Sequence, residues 1–244
     1  MRIVIIGATS TIATECERIW AQVPNVQLVL VGRNAEALHH LQQDLTIRYP
    51  QVLATTLQCD FNVLEDIERT VHAAGNIDVA LIAHGQLVEQ EVAQSDLLAL
   101  DESLRTNATS VALFAEAIAR RLSEQQHGTL AIIGSVAGDR ARRSNYSYGA
   151  AKAFVESYTK GLQHRFAKTP VNVVLIKPGP TTSKMTLAMP NPPKGMATAQ
   201  QVAQDIVKAC AKNASSTVYT PRKWQLIMLI IRMLPTVVFN KLNI

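Results

Sequence analysis

Cysteine is scarce in this chain of 244 residues, and what there is lies scattered. Cys16, Cys59 and Cys210 are odd in number and far apart, which excludes a disulfide framework, gives no basis for a metal site and points to a reducing compartment. Charge is thin as well: 18% of residues are charged against 48% hydrophobic, a balance that excludes a disordered chain. There is no internal repeat, low-complexity tract or linker, so one domain of common α/β size accounts for the length. The net charge of +5 is too modest to imply a nucleic-acid partner. The opening run Arg2-Ile3-Val4-Ile5-Ile6-Gly7 is too short for a signal peptide and reads as a buried strand, so a cytoplasmic protein is expected.

Acidic residues are missing from the end of the chain. None follows Asp205, while Lys208, Lys212, Arg222, Lys223, Arg232 and Lys241 remain. Residues 224–239 are mostly apolar but are interrupted by Arg232 and Pro235, short of the about 20 apolar residues a spanning helix needs. Two readings stay open for this basic apolar tail. It is an interfacial helix, peripheral on the inner membrane face with Trp224 at the headgroup level, or a helix packed on the body or in a subunit interface.

What is present is a regular alternation of patterns. Nearly continuous β-branched runs at 2–6, 26–31, 52–59, 77–83, 129–133, 171–176 and 217–219 read as strands covered on both faces. Helical spacing fills 11–22, 35–48, 63–73, 97–122, 146–168 and 199–212. Repeated βαβ units give an α/β fold with a single doubly wound parallel sheet and helices on both faces. The domain is expected over 1–220, with an extension at 221–244. Ligands in such a sheet bind beyond the carboxyl ends of the strands.

Those ends carry the residues with chemistry. After the first strand, Gly7-Ala8-Thr9-Ser10-Thr11-Ile12-Ala13 puts small residues at a helix start, where backbone amides can approach a pyrophosphate. The second strand ends Val31-Gly32-Arg33-Asn34. An acid there would hold the ribose 2′-hydroxyl of NAD, whereas arginine accommodates the 2′-phosphate of NADP, so NADP(H) is favoured over NAD(H). Gly134-Ser135-Val136-Ala137-Gly138 follows the fifth strand, and Tyr148 comes 13 residues after Ser135. Tyr148 and Lys152 stand at i and i+4, on one helix face. A phenol of pKa about 10 is a poor acid at neutral pH, and an ammonium one turn away is expected to pull that pKa down. Residues 184–196 hold three methionines, three prolines and one glycine, which suit neither helix nor strand and offer an apolar, adaptable surface.

These residues together resemble the short-chain dehydrogenase/reductase family. The glycine loop is similar to the family's Thr-Gly-x-x-x-Gly-x-Gly, with Gly7 kept and Thr11 and Ala13 in the other glycine places. Asn107, Ser135, Tyr148 and Lys152 match the family's Asn-Ser-Tyr-Lys tetrad in order. The resemblance implies a Rossmann fold and carbonyl reduction. In it Tyr148 protonates the carbonyl oxygen, Ser135 orients that oxygen, Lys152 binds the nicotinamide ribose and lowers the Tyr148 pKa, and Asn107 holds a water for proton relay. It also implies cofactor contacts from Gly7, Thr9, Ser10, Thr11 and Ile12, from Arg33, and from Asp60 with Phe61 near the adenine. Ala83-His84-Gly85 stands where the family has Asn-Ala-Gly; His84 reads as a ribose contact or a structural histidine, and not as catalytic. Pro178, Gly179, Thr181 and Ser183 resemble the Pro-Gly-x-x-x-Thr segment that contacts the nicotinamide amide. Residues 180–197 take the place of a mobile substrate lid. Members of the family associate as homodimers or homotetramers through the helices bearing Asn107 and Tyr148.

Shorter likenesses narrow the substrate. Lys177-Pro178-Gly179-Pro180-Thr181, Arg232-Met233-Leu234-Pro235 and the ending Phe239-Asn240-Lys241-Leu242-Asn243-Ile244 are similar to the decaprenylphosphoryl-2-keto-β-D-erythro-pentose reductases. That likeness implies a lipid-linked keto-sugar, cell-envelope synthesis and a flavin oxidase partner that makes the ketone. Arg140, Arg142 and Arg143 lie between Ser135 and Tyr148, as a contact to a lipid phosphate or as a solvated loop. Two other readings are kept: a cytosolic reductase of a soluble ketone or 3-oxoacyl group, and a non-enzymatic NADP(H) sensor suggested by the eroded glycine motif.

Overall fold

Seven β-branched stretches pair side by side and all in parallel: β1 (Arg2–Ile6), β2 (Gln27–Gly32), β3 (Leu53–Gln58), β4 (Val79–Ile82), β5 (Gly128–Ile133), β6 (Val171–Pro178) and β7 (Ser216–Thr220). Their order in the sheet is β3-β2-β1-β4-β5-β6-β7, so the strand order reverses between β1 and β4. The expected strand ends differ from these by at most two residues. The computed structural model describes residues 1–189 and 192–242; Pro190 and Asn191 of the expected lid and Asn243 and Ile244 of the expected tail lie outside the described residues.

Successive strand residues point to opposite faces, and both faces are apolar. Ile3, Ile5, Leu28, Leu30 and Leu81 pack against α1 (Thr11–Trp20), α2 (Ala35–Arg48) and α9 (Ala199–Cys210) through Cys16, Trp20, Leu38, Leu45, Val202 and Ile206. Val4, Ile6, Val29, Val31 and Ile82 pack on the other side against α3 (Leu64–Ala74), α6 (Ser110–Gln125) and α7 (Tyr146–Arg165). Burying each such side chain contributes about 1.5–3 kcal/mol. This two-sided demand explains why the strands read as unbroken apolar runs.

Three departures from the sequence reading matter for the site. The single helix expected at 97–122 is α5 (Leu97–Leu104), a π turn (Arg105–Thr109) and α6. The cause is tertiary: Ser110 Oγ donates to Thr106 O at 2.9 Å and meets His84 Nε2 at 2.8 Å, while Ser110 N reaches back to Arg105 O. A further helix, α4 (Gln90–Ser95), precedes α5 and docks on α7 through two 3.0 Å hydrogen bonds between Gln90 and Ser147. The lid segment, expected to be irregular, contains α8 (Lys184–Leu187), closed by a capping box between Ser183 and Thr186.

The tail forms α10 (Lys223–Met233) and α11 (Thr236–Phe239). Among the described residues no helix is long and apolar enough to cross a membrane. Trp224, Ile227, Met228 and Ile231 fall at i, i+3, i+4 and i+7 and face the body, with Met228 fully buried. Leu226, Leu229, Ile230 and Met233 repeat that spacing on the other side and stay 50–75% exposed. The tail therefore packs on the body by one apolar face and presents a second to solvent. Arg140, half-buried, is engaged by the tail. Its Nη1 donates at 2.6 Å to the carbonyls of Ile231 and Leu234, at the helix end where backbone acceptors lack partners, and its guanidinium lies 3.9 Å from the Phe239 ring centre.

One buried carboxyl is left without a hydrogen bond. Glu17 in α1 is closed from solvent, both its oxygens lack hydrogen-bond partners among the described residues, and burial, against the pull of Arg18, raises its pKa well above the ordinary carboxylate range. A carboxyl raised in the folded state stabilises below its unfolded pKa and loses that contribution as pH climbs through the folded value. Glu17→Leu is expected to raise the Tm at pH 8 by on the order of 5 °C and by less at pH 5, read by thermal unfolding. A lower Tm at both pH values would show that the carboxyl has an unseen partner.

Candidate active site

Where strand order reverses, the carboxyl ends of β1, β2, β4, β5 and β6 open onto one cavity of about 700 Å³. Gly7, Thr9, Ser10, Thr11 and Ile12 line it from the first loop, Arg33 from the second, and Ala83, His84 and Gly85 from the loop after β4. Phe61, Ser135, Tyr148, Lys152, Pro178, Gly179, Thr181 and Ser183 complete the set of sequence-derived residues that line it. Two do not. Asp60 lines a smaller neighbouring cavity of about 280 Å³, which it shares with Arg33 and Arg69. Asn107 lies behind the wall, fully buried.

Gly7 can be read from its contacts. Its φ is +83°, and a Cβ there would lie 2.7 Å from the backbone nitrogen of His84. Only glycine lets the loop after β1 turn this tightly beside the loop after β4. Ser10 then caps α1 by accepting from Ala13 N at 3.3 Å, which directs the helix N-terminus at the cavity. Thr11, in place of a second glycine, accepts from Lys184 N at 3.3 Å and so ties the lid to the first loop.

On the opposite wall, Gly138 allows the serine loop to lie against α7, since a Cβ there would come 2.8 Å from the Lys152 carbonyl carbon. Ser135 Oγ accepts from Ala137 N at 3.1 Å. Lys152 Nζ donates to Ile133 O at 3.1 Å and sits 5.7 Å from the Tyr148 ring centre. The net shift of the Tyr148 pKa is upward, opposite in direction to the one the sequence suggested. Burial pushes Tyr148 up to about 12 against the opposing effect of Ser135, and burial takes Lys152 down to about 8. The phenol is thus protonated at neutral pH, the form that can give a proton.

Asn107 is held by hydrogen bonds to its neighbours. In the π turn its Oδ1 accepts from Gln86 N at 2.9 Å, and its Nδ2 donates to Gln86 O at 2.8 Å and Ser103 Oγ at 3.2 Å. It fixes the loop after β4, and π turns recur at such positions. The His84 ring packs 4.7 Å from that of Phe61 and bonds Ser110, and burial, with help from Lys152 and Arg33, lowers its pKa to about 3. Gln86, Leu87, Thr106 and Asn145 also line the cavity and were missed. Gln86 and Leu87 continue the loop after β4, so extending that segment by two residues would have found them.

Comparison with known proteins agrees with this geometry. A family model described as short chain dehydrogenase matches residues 1–192. An uncharacterized oxidoreductase of Streptomyces coelicolor is 34% identical over 176 residues, 70% of this chain and 67% of the relative. An uncharacterized oxidoreductase of Mycobacterium tuberculosis is 28% identical over 245 residues, 98% of this chain and 96% of its own. In three dimensions, a short chain dehydrogenase from Burkholderia cenocepacia in complex with NADP superposes with a TM-score of 0.81 at 19% identity, covering 100% of this chain and 97% of that one.

The two shifted basic groups can be titrated directly. The His84 ring is expected to show no inflection between pH 5 and 8 by NMR, and Lys152 to lose its proton near pH 8 rather than near 10.5. A His84 inflection near 6.5, its unperturbed value, would place that ring in contact with solvent.

Proposed function

The chain belongs to the short-chain dehydrogenase/reductase family of oxidoreductases, and from that premise we propose that it is an NADPH-dependent reductase of a keto-sugar carried on a polyprenyl phosphate. The observation that carries the reading is the meeting of Ser135, Tyr148 and Lys152 on one wall of a cavity that also opens onto the glycine loop. The cavity suits a dinucleotide in size, in the bare backbone of Gly7 and in having the N-terminus of α1 directed at it. Gly7, Thr9, Ser10, Thr11 and Ile12 would hold the pyrophosphate and Arg33 the 2′-phosphate. Asp60 and Phe61 would flank the adenine, Ala83, His84 and Gly85 the ribose region, and Pro178, Gly179, Thr181 and Ser183 the carboxamide.

When bound, NADPH supplies the hydride. Tyr148 passes its phenolic proton to the carbonyl oxygen as that oxygen gains charge, which turns the ketone into an alcohol. The Ser135 hydroxyl donates to the same oxygen and holds it in line. Lys152, charged below pH about 8, binds the ribose hydroxyls and stabilises the tyrosinate left behind. Asn107 acts through position, by fixing Gln86 in the cavity wall.

A lipid-linked substrate is favoured by two features. Met185 and Met189 give the lid side of the cavity an adaptable apolar lining. The outer face of α10 is apolar, and no acidic residue follows Asp205, a combination suited to the headgroup layer of an anionic membrane. The protein would work in the cytoplasm on the membrane's inner face, after a flavin oxidase has made the ketone, and would self-associate through the exposed Leu97, Leu98 and Phe154 of α5 and α7.

Purified protein with NADPH is expected to turn over a polyprenyl-phosphoryl 2-keto-pentose faster than any of a panel of soluble ketones and 3-oxoacyl thioesters. Tyr148→Phe should lower that rate by about 10²–10⁴-fold with little change in NADPH affinity. A soluble ketone reduced faster than the lipid-linked sugar would overturn the substrate, and a fully active Tyr148→Phe the proton donor. Separately, Arg33→Ala is expected to weaken NADPH by roughly tenfold or more and NADH little, by direct titration. Equal losses for both nucleotides would remove the 2′-phosphate role.

A further inference from the structure

Charge is distributed unevenly along the cavity. Arg33, Arg142, Lys152 and Lys184 line it, and no aspartate or glutamate does. Arg33 follows β2 at the end distant in sequence from the serine loop, and Lys152 is engaged by Ile133 O. Arg142, between Ser135 and Tyr148 in the chain, has no such engagement. Among the described residues its Nε is buried without a hydrogen-bond partner, and its Nη2 rests 3.8 Å from Met228 Sδ, a weak acceptor. The carboxylate that attracts it, Asp139, is shared, being hydrogen-bonded to Lys177 at 2.5 Å and to the Tyr219 hydroxyl at 3.2 Å. Lys184 stands on the lid side of the same space.

A guanidinium taken partly out of water with only a shared carboxylate nearby is costly. It is tolerable where a ligand completes the pairing, and the planar fork of arginine matches the paired oxygens of a phosphoryl group. We propose that Arg142 is the anion-binding residue of the substrate end, and that the ketone reduced here bears a phosphoryl anion beside its carbonyl-bearing ring. The proposal rests on the reductase reading only in taking Ser135 and Tyr148 as the carbonyl end. It separates the three arginines of this loop: Arg140 fastens the tail, and Arg142 faces the ligand.

The test is equilibrium titration of the full chain, with and without saturating NADPH, using farnesyl phosphate, farnesol, glycerol 3-phosphate and inorganic phosphate. Wild type is expected to bind farnesyl phosphate at least about tenfold more tightly than farnesol, and R142Q to lose about that factor for the phosphate while binding farnesol unchanged. R142K, which keeps the charge without the fork, should recover part of the loss and guards against a variant that merely misfolds. Farnesyl phosphate stronger than glycerol 3-phosphate identifies a lipid-borne anion, and equal affinities a soluble one. Wild type with no preference for phosphate over alcohol, or R142Q binding farnesyl phosphate like wild type, overturns the proposal. NADPH titration in the same cell keeps the two readings apart: a protein that binds NADPH and reduces ketones but ignores phosphate loses this inference alone.

Discussion

The ammonium of Lys177, shut off from solvent at the end of β6, holds the chemical half of the cavity together. It is paired with Asp139 of the serine loop and with Glu156 of α7, while Tyr219 of β7 binds the same Asp139 and Arg232 of α10 lies 3.9 Å from it. Burial alone would lower the Lys177 pKa, but the two carboxylates hold it up, so the charge persists. Removing one member of such a cluster strands a buried charge at a cost of about 3–5 kcal/mol, a large part of the 5–15 kcal/mol that stabilises a typical protein. Asp139 lies four residues after Ser135, and Glu156 two helical turns after Tyr148. The relative placement of Ser135 and Tyr148 therefore depends on an interaction that touches neither.

Much of this architecture was legible beforehand. Continuous apolar runs such as Ile3–Ile6 can be stable only when both faces of a strand are covered, so a parallel sheet followed from pattern alone. The glycine loop, Arg33 and Ser135 were legible because each lies within a few residues of a strand end, which places it at the cavity without knowledge of long-range contacts, and Tyr148 and Lys152 because their spacing puts both on one helix face after the serine loop. What was hidden depended on partners far away in sequence. The π turn exists because Ser110 reaches His84, and the helical spacing of 97–122 carries no trace of that bond. The mate of Arg140 is a pair of carbonyls more than ninety residues away. Asn107 resembled a site residue and does lie near Lys152, but its amide is engaged by Gln86, a neighbour the sequence could not show.

The Tyr148–Lys152 pair shows how burial can reverse an argument from spacing. Two side chains one turn apart do share a helix face, but the ammonium lies over the ring face and donates to Ile133 O. Desolvation then dominates both groups and moves their pKa values toward neutral forms, a phenol at about 12 and an amine at about 8. The phenol keeps its proton at neutral pH, while the amine gives its own up more readily than usual.

The tight turn at Gly7 bears on how binding experiments should be designed. Any side chain there would meet the His84 backbone as well as adopt a strained φ, so a substitution would part the ends of β1 and β4 before it obstructed any ligand. Loss of nucleotide affinity in such a variant would be indistinguishable from loss of the sheet's central seam. Thr9, exposed on the same loop and free of that contact, is the position where a mutational probe can report on the ligand alone.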